Sequence, residues 1–271
     1  MRMQADKRRI VVVGAGSGIG AAVAAHFHHS GDHVLAVDLR PNDTPASAHA
    51  QCDLRDPHSI AALLDGLGTG WDVLAHVAGV PGTAPADDVL TVNYLGMRLM
   101  VEGMLPRMRR GGAVVAVASI AGIGWEQRLD ELSELLAATD AEAVAAWQAR
   151  QDPSYPVYTS SKQAVILYAK RLAGSALSRY GVRVNTVSPG PVQTPILADF
   201  EQTMGKEILD MLRDTYGRHG TVEDVVPVIA FLASDAAQWI NGQDLHVDSG
   251  FVTAMTAGAP IALEALYTAL P

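Results

Sequence analysis

The segment Arg9-Ile10-Val11-Val12-Val13-Gly14-Ala15-Gly16-Ser17-Gly18-Ile19-Gly20 runs from a short apolar, β-forming stretch into a glycine-rich loop. An alanine-rich stretch follows, for which a helix over Gly18–Ser30 is expected. Glycines let the backbone turn sharply and approach a ligand with no Cβ in the way. The start of a helix presents free N–H groups and the positive end of its dipole. Placed between an opening strand and a helix, the loop reads as a pyrophosphate cradle, with Gly14, Ser17, Gly18, Ile19 and Gly20 as contact residues.

Outward from this loop, further β-rich runs are expected at His33–Asp38, Ala50–Asp53, Asp72–Val77, Ala113–Ala118, Val182–Val187 and Gln243–Val247. Most are continuously apolar, as strands buried on both faces of a parallel sheet are. Helical stretches separate them: Pro57–Leu67, Asp88–Arg109, Tyr158–Tyr180 and Val222–Ser234. The alternation predicts an α/β, Rossmann-like doubly wound sheet of about seven strands. With no linker or repeat in view, residues 1–271 are expected to form a single domain. Two segments break the pattern. Residues 124–156 carry Leu129, Leu132, Leu135, Leu136, Val144 and Trp147 among acidic residues, which predicts one or two inserted amphipathic helices. Residues 191–216 form a second excursion, opened by Pro191 and Pro195, of the kind that builds substrate pockets at the carboxyl end of a sheet.

Asp38 closes the second predicted strand, where a carboxylate can take both ribose hydroxyls of an adenosine half. The same group repels a 2′-phosphate. Ser17 and Leu39 are neutral and Arg40 is the one basic residue nearby, so NAD is expected in preference to NADP. The plain alternative for Asp38 is a solvated strand-end acid. Asp53 and Leu54 are positioned to edge the adenine, although Asp53 suits a turn cap equally.

Composition narrows the class. The net charge is −9 and no basic stripe is present, which argues against nucleic-acid binding. No apolar run reaches the ~18 residues of a membrane span. The first nine residues, Met1 to Arg9, resemble the start of a secretory signal, but the apolar run that follows meets Gly14 too soon, so a strand is expected there. Cys52 is the single cysteine; it is read as a small buried hydrophobe, and a cytoplasmic location is expected. His26, His28 and His29 lack cysteine or carboxylate company, so no metal site is expected. The apolar tail over Phe251–Leu270 is expected at a subunit interface or over a pocket mouth.

Tyr158-Thr159-Ser160-Ser161-Lys162 places a phenol and an ammonium four residues apart on one helical face. A phenol near pKa 10 is a poor base at neutral pH, and a neighbouring cation favours its phenolate. Tyr155, Tyr168 and Tyr180 have no cation at that spacing. Alone, such a pair is ordinarily surface decoration. Ser119, at the carboxyl end of the fifth predicted strand, could orient a substrate oxygen beside it. Asn93 falls within a predicted helix, an unfavourable place for an amide without a task.

With these residues assembled, the whole chain resembles the short-chain dehydrogenase/reductase family. The matching positions are Gly14, Gly18 and Gly20, Ala78-Gly79, Asn93, Ser119, Tyr158 with Lys162, and Ser188-Pro189-Gly190-Pro191-Val192 through Thr194. The resemblance implies Tyr158 as general acid/base, Lys162 binding the nicotinamide ribose and lowering the Tyr158 pKa, and Ser119 holding the reacting oxygen. It implies Asn93 supporting a water in a proton relay. Ala78, Gly79, Pro189, Gly190, Val192 and Thr194 would contact cofactor, together with Tyr158 and Lys162. Departures are Val13, where Thr is common, and His76-Val77 in place of an Asn pair. The 39 positions from Ser119 to Tyr158 exceed the family's usual dozen or so. That insertion resembles the subgroup of bacterial 3α-hydroxysteroid dehydrogenase/carbonyl reductases and coniferyl-alcohol dehydrogenases.

The expected function is therefore NAD(H)-dependent interconversion of a bulky apolar, aromatic or cyclic alcohol and its carbonyl; hydroxysteroids, coniferyl-type alcohols and terpenoids all qualify. Ile120, Trp125, Val157, Pro191, Ile196, Leu197, Phe200 and Met204 are expected to line the substrate pocket. A catalytically silent dinucleotide-binding regulator is the alternative, though such proteins typically lose the Tyr, Lys or Ser retained here. Epimerases and dehydratases usually add a C-terminal substrate domain. A homo-oligomer, tetramer or dimer, is expected, with the insertion covering the pocket, a subunit contact, or both.

Overall fold

A computed structural model describes residues 7–258 apart from residue 205; the side chains of residues 203, 204, 208, 211 and 216 also lie outside the description. Seven parallel strands form one sheet in the order β3-β2-β1-β4-β5-β6-β7. They span Arg9–Val13 (β1), His33–Asp38 (β2), Ala48–Gln51 (β3), Trp71–His76 (β4), Met108–Val117 (β5), Arg183–Pro189 (β6) and Asp244–Val247 (β7). The order reverses between β1 and β4, which opens a crevice at the carboxyl ends of those strands. The doubly wound single domain expected from the alternation is what the chain forms.

Helices α1 (Gly18–His29) and α10 (Val222–Leu232) cover one face, with Val23, Phe27, Val225 and Ile229 packed on Ile10, Val12, Val73 and Val115. Helices α2 (Pro57–Leu67), α3 (Ala86–Leu90), α4 (Met97–Met104) and α7 (Val157–Tyr180) cover the other. Between α3 and α4 the chain makes a π-helical turn, Thr91–Gly96. The single helix expected over Asp88–Arg109 is thus interrupted, and it stops early: Pro106 has no N–H to continue it, a 3₁₀ turn follows, and β5 begins at Met108. β3 also sits two residues earlier than expected, which leaves Asp53 and Leu54 outside the strand.

The insertion forms α5 (Leu129–Ala137) and α6 (Ala141–Gln148). Leu132, Leu135, Val144 and Trp147 are at most 1% exposed and join the cluster containing α4 and α7. Polar ties fix these helices to both neighbours. Arg98 of α4 donates to the carbonyls of Leu136 and Ala138 at 2.8 and 2.9 Å, satisfying the free end of α5. Arg128 donates to Ser160 Oγ and Gln163 Oε1 of α7, both at 3.0 Å, and its guanidinium stacks 4.0 Å from the Tyr155 ring. The substrate excursion forms α8 (Leu197–Met204) and α9 (Lys206–Tyr216), and α11 (Phe251–Ala257) follows β7. Phe251 and Val252 of α11 pack against Ile120, Leu209 and Leu212. The rest of the apolar tail lies outside the described residues. Among the described residues no helix is long and apolar enough to cross a membrane.

Candidate active site

A cleft of about 470 Å³ opens at the reversal of strand order, within the range of small-molecule sites. Gly14, Ser17, Gly18, Ile19 and Gly20 line it, with Asp38, Asp53, Leu54, Ala78, Gly79 and Thr194. Backbone closeness explains the glycines. Gly14 has φ +86°, and a Cβ there would stand 2.5 Å from the Ala78 backbone; one on Gly20 would meet the Gly14 carbonyl oxygen at 1.9 Å. Both keep the loop low under the first turn of α1. Thr194 approaches from the opposite wall, its methyl 3.3 Å from the Cβ position of Gly18. Of the other residues expected to contact cofactor, Pro189 ends β6, Gly190 donates to the Val247 carbonyl at 2.9 Å and Val192 is 6% exposed in the core.

Asp38 accepts from the Gly16 N–H at 2.7 Å and from the Arg40 N–H at 3.3 Å. Two backbone donors leave the carboxylate with acceptor positions free for hydroxyls. A Cβ on Gly16 would lie 2.8 Å from that carboxylate and push it aside, so glycine suits the contact. Asp53 both lines the cleft and caps its turn. It accepts from the Arg55 N–H at 2.9 Å and pairs with the Arg55 guanidinium at 2.8 Å, and this hydrogen bonding holds its carboxyl below the usual range. Arg55 and Leu39, which sequence reasoning did not assign, line the same cleft; no local pattern marks an exposed side chain as a cleft wall. Cys52 is buried at 4% exposure beneath it, and burial pushes its thiol up.

Tyr158 and Lys162 occupy the first two turns of α7, and Ser119 follows β5. Burial pushes the Tyr158 phenol up to about 12, while a hydrogen bond with the Ser119 hydroxyl pulls the other way. Burial thus governs this phenol, with Ser119 the opposing group. Lys162 Nζ donates to the Val117 carbonyl at 3.2 Å, lies 3.4 Å from the Cβ position of Gly79, and sits 5.6 Å from the Tyr158 ring centre. The lysine is 5% exposed, and desolvation brings its own pKa down to about 8.

Asn93 lies in the π-helical turn, a widening often found at functional sites. Its Oδ1 accepts from the Val80 N–H at 2.7 Å, and its Nδ2 donates to the Val80 carbonyl at 3.0 Å and to Ser161 Oγ at 3.1 Å. The amide thus joins the segment after β4 to the start of α7, a task for its mid-helix place.

The expected substrate residues divide. Ile196 lines the cleft, while Ile120 and Pro191 line a neighbouring cavity of about 570 Å³ with Leu212, Arg218 and Phe251. Leu197 and Phe200 pack with Ile120 and Leu212, and the Phe200 ring meets the Tyr158 ring edge-on at 5.4 Å. Trp125 and Val157 do not face the cleft. Trp125 covers Lys170 at 5.6 Å, about two helical turns beyond Lys162, and both pack into the α4–α7 core. The Met204 side chain lies outside the described residues.

Comparison with known proteins bears on this arrangement. A short chain dehydrogenase family model matches residues 8–128, and an Enoyl-(Acyl carrier protein) reductase model matches residues 142–252. The unmatched stretch between them falls on α5. A coniferyl-alcohol dehydrogenase of a Pseudomonas species is 36% identical over 93% of this chain and 99% of its own length. A 3-alpha-hydroxysteroid dehydrogenase/carbonyl reductase of Comamonas testosteroni is 29% identical over 91% of this chain and 97% of that one. The solved structure of a Pseudomonas 3-alpha-hydroxysteroid dehydrogenase complexed with NADH superposes with a TM-score of 0.78 at 32% identity, covering 92% of this chain and 98% of that one. The chain belongs to the short-chain dehydrogenase/reductase family. It is accordingly an oxidoreductase of alcohols and carbonyls, from a family that binds nicotinamide dinucleotides.

Proposed function

We propose that this protein is an NAD(H)-dependent dehydrogenase of a bulky apolar, aromatic or cyclic alcohol, with Tyr158 as general acid/base. The observation that carries the reading is the meeting of the Tyr158 phenol, the Ser119 hydroxyl and the buried Lys162 ammonium beside a glycine-floored cleft. The glycine loop fits a dinucleotide, because the positive φ of Gly14 and the close backbone approach at Gly14 and Gly20 keep the loop low and leave the start of α1 open to the cleft. Gly14, Gly18 and Gly20 hold its pyrophosphate, Asp38 its adenosine ribose, and Gly79 and Thr194 its nicotinamide end. Bound there, the nicotinamide supplies hydride acceptance and donation.

Tyr158 moves the proton at the substrate oxygen, and Ser119 holds that oxygen by a hydrogen bond. Lys162 provides positive charge below the phenol, and Asn93 keeps the α7 turn and the Val80 segment in register. Phe200, Ile196, Leu197, Ile120 and Pro191 form the apolar wall, which favours rings over charged substrates. Asp38 favours NAD over NADP, since its carboxylate repels a 2′-phosphate. A cytoplasmic location and a homo-oligomer accompany this reading. The test is a panel of hydroxysteroids, coniferyl-type alcohols, terpenoid and other cyclic alcohols with NAD⁺, followed by NADH absorbance. Turnover of ring-bearing alcohols with little of short charged ones is the expected result; no turnover of any alcohol or carbonyl with either cofactor would overturn it.

A further inference from the structure

His76, the last residue of β4, is 2% exposed, and its Nε2 has no hydrogen-bond partner among the described residues. A buried acceptor left unpaired costs about 1–3 kcal/mol, so such an atom in a core asks for a partner. Strand alternation places His76 on the same sheet face as Leu74, which packs in the cluster beneath α7. In register, His76 lies between Val13 of β1 and Ala116 of β5, neither of which can bond to it through a side chain.

Lys162 comes down onto this spot. Its Nζ bonds the carbonyl of Val117, one residue beyond Ala116, and lies against Gly79, three residues beyond His76. An ammonium has three protons to donate, and one is committed to Val117. A neutral imidazole carries one proton and one acceptor nitrogen, and a partner ordered by an ammonium selects Nε2 as the acceptor.

We propose that His76 is a positioning residue for Lys162, its Nε2 accepting from one internal water that in turn accepts from the Lys162 ammonium. The pair thereby holds Nζ beneath the cleft and steadies its charge in a desolvated place. A water so placed has donors and acceptors on both sides, the condition for retaining one in a core. Burial and the Lys162 charge keep the imidazole neutral, with its pKa brought down to about 3. Lys162 is the charged group whose field reaches the ring; Tyr94, in the same cluster, is held by burial at about 12 and stays neutral.

This inference rests on the role proposed for Lys162, and its test separates the two. In the cofactor-free protein, the ¹⁵N shifts of the His76 ring report whether Nε2 accepts a hydrogen bond, and Lys162→Met should move the Nε2 resonance toward that of an unbonded nitrogen. An Nε2 signal unaffected by Lys162→Met overturns the contact, whatever the activity. His76→Leu should lower the alkaline midpoint of carbonyl reduction by about one pH unit, because the ammonium loses its acceptor. His76→Gln, whose amide oxygen reaches a similar depth, should restore most of that shift. A His76→Leu profile superposable on the unaltered one, with an equal or higher melting temperature, identifies an orphan atom and overturns the proposal. Should Lys162→Met retain turnover while the ring shift moves, the contact stands and the proposed role of Lys162 falls.

Discussion

Replacing Tyr158 by Phe removes one hydroxyl and keeps the ring that meets Phe200 edge-on at 5.4 Å. The lost hydrogen bond with Ser119 costs about 1 kcal/mol of stability, so the variant should fold. Removal of a general acid/base ordinarily costs 10²–10⁴-fold, or about 3–5 kcal/mol of transition-state stabilisation. Because burial holds the phenol near 12, Tyr158 is protonated throughout the neutral range and already competent as an acid toward a carbonyl. Carbonyl reduction should therefore be flat from about pH 6 to about pH 7. It should then decline as Lys162, brought down to about 8, loses its proton. Alcohol oxidation has the opposite sign: it needs the phenolate and should rise with pH, up to about tenfold per unit. NADH absorbance measures both directions, and NADH fluorescence measures binding, which should change little in Tyr158→Phe. A variant that keeps more than about a tenth of the unaltered rate would refute the assignment.

Asp38→Ser should narrow the preference for NAD over NADP in steady-state kinetics; equal efficiency with both cofactors in the unaltered protein would show that Arg40 prevails over the carboxylate. Asn93→Ala leaves the Val80 N–H and carbonyl without their side-chain partner and should cost about 2 kcal/mol or more in denaturant unfolding. An unchanged midpoint would show that the amide does not join Val80 to α7. Trp147→Ala opens a cavity in the inserted layer and should cost about 3–5 kcal/mol, whereas a surface ornament would tolerate the change. Since α5 and α6 lie on α4 and α7, light scattering and cross-linking should find an oligomer that does not pair α4 and α7 across subunits; a tetramer built on that contact would contradict this.

Much of the fold and part of the site could be read from local pattern. Parallel strands buried on both faces are continuously apolar, and Gly14 through Gly20 is a local solution to turning between strand and helix. The spacing of Tyr158 and Lys162 is likewise local, because one helical turn puts them on one face. Distances along the chain do not encode what long-range packing decides. Only the sheet brings Ser119 to Tyr158 across 39 positions, and only burial in the folded chain pushes the phenol up to about 12. The π-helical turn that seats Asn93 is a backbone widening invisible in composition. Trp125 and Phe200 are both aromatic residues on rim segments, yet packing turns one onto Lys170 and the other onto Tyr158. The amphipathic pattern of the insertion called for a surface to cover; which surface depended on Arg98 and Arg128 reaching carbonyls and side chains that become neighbours only after the sheet has formed.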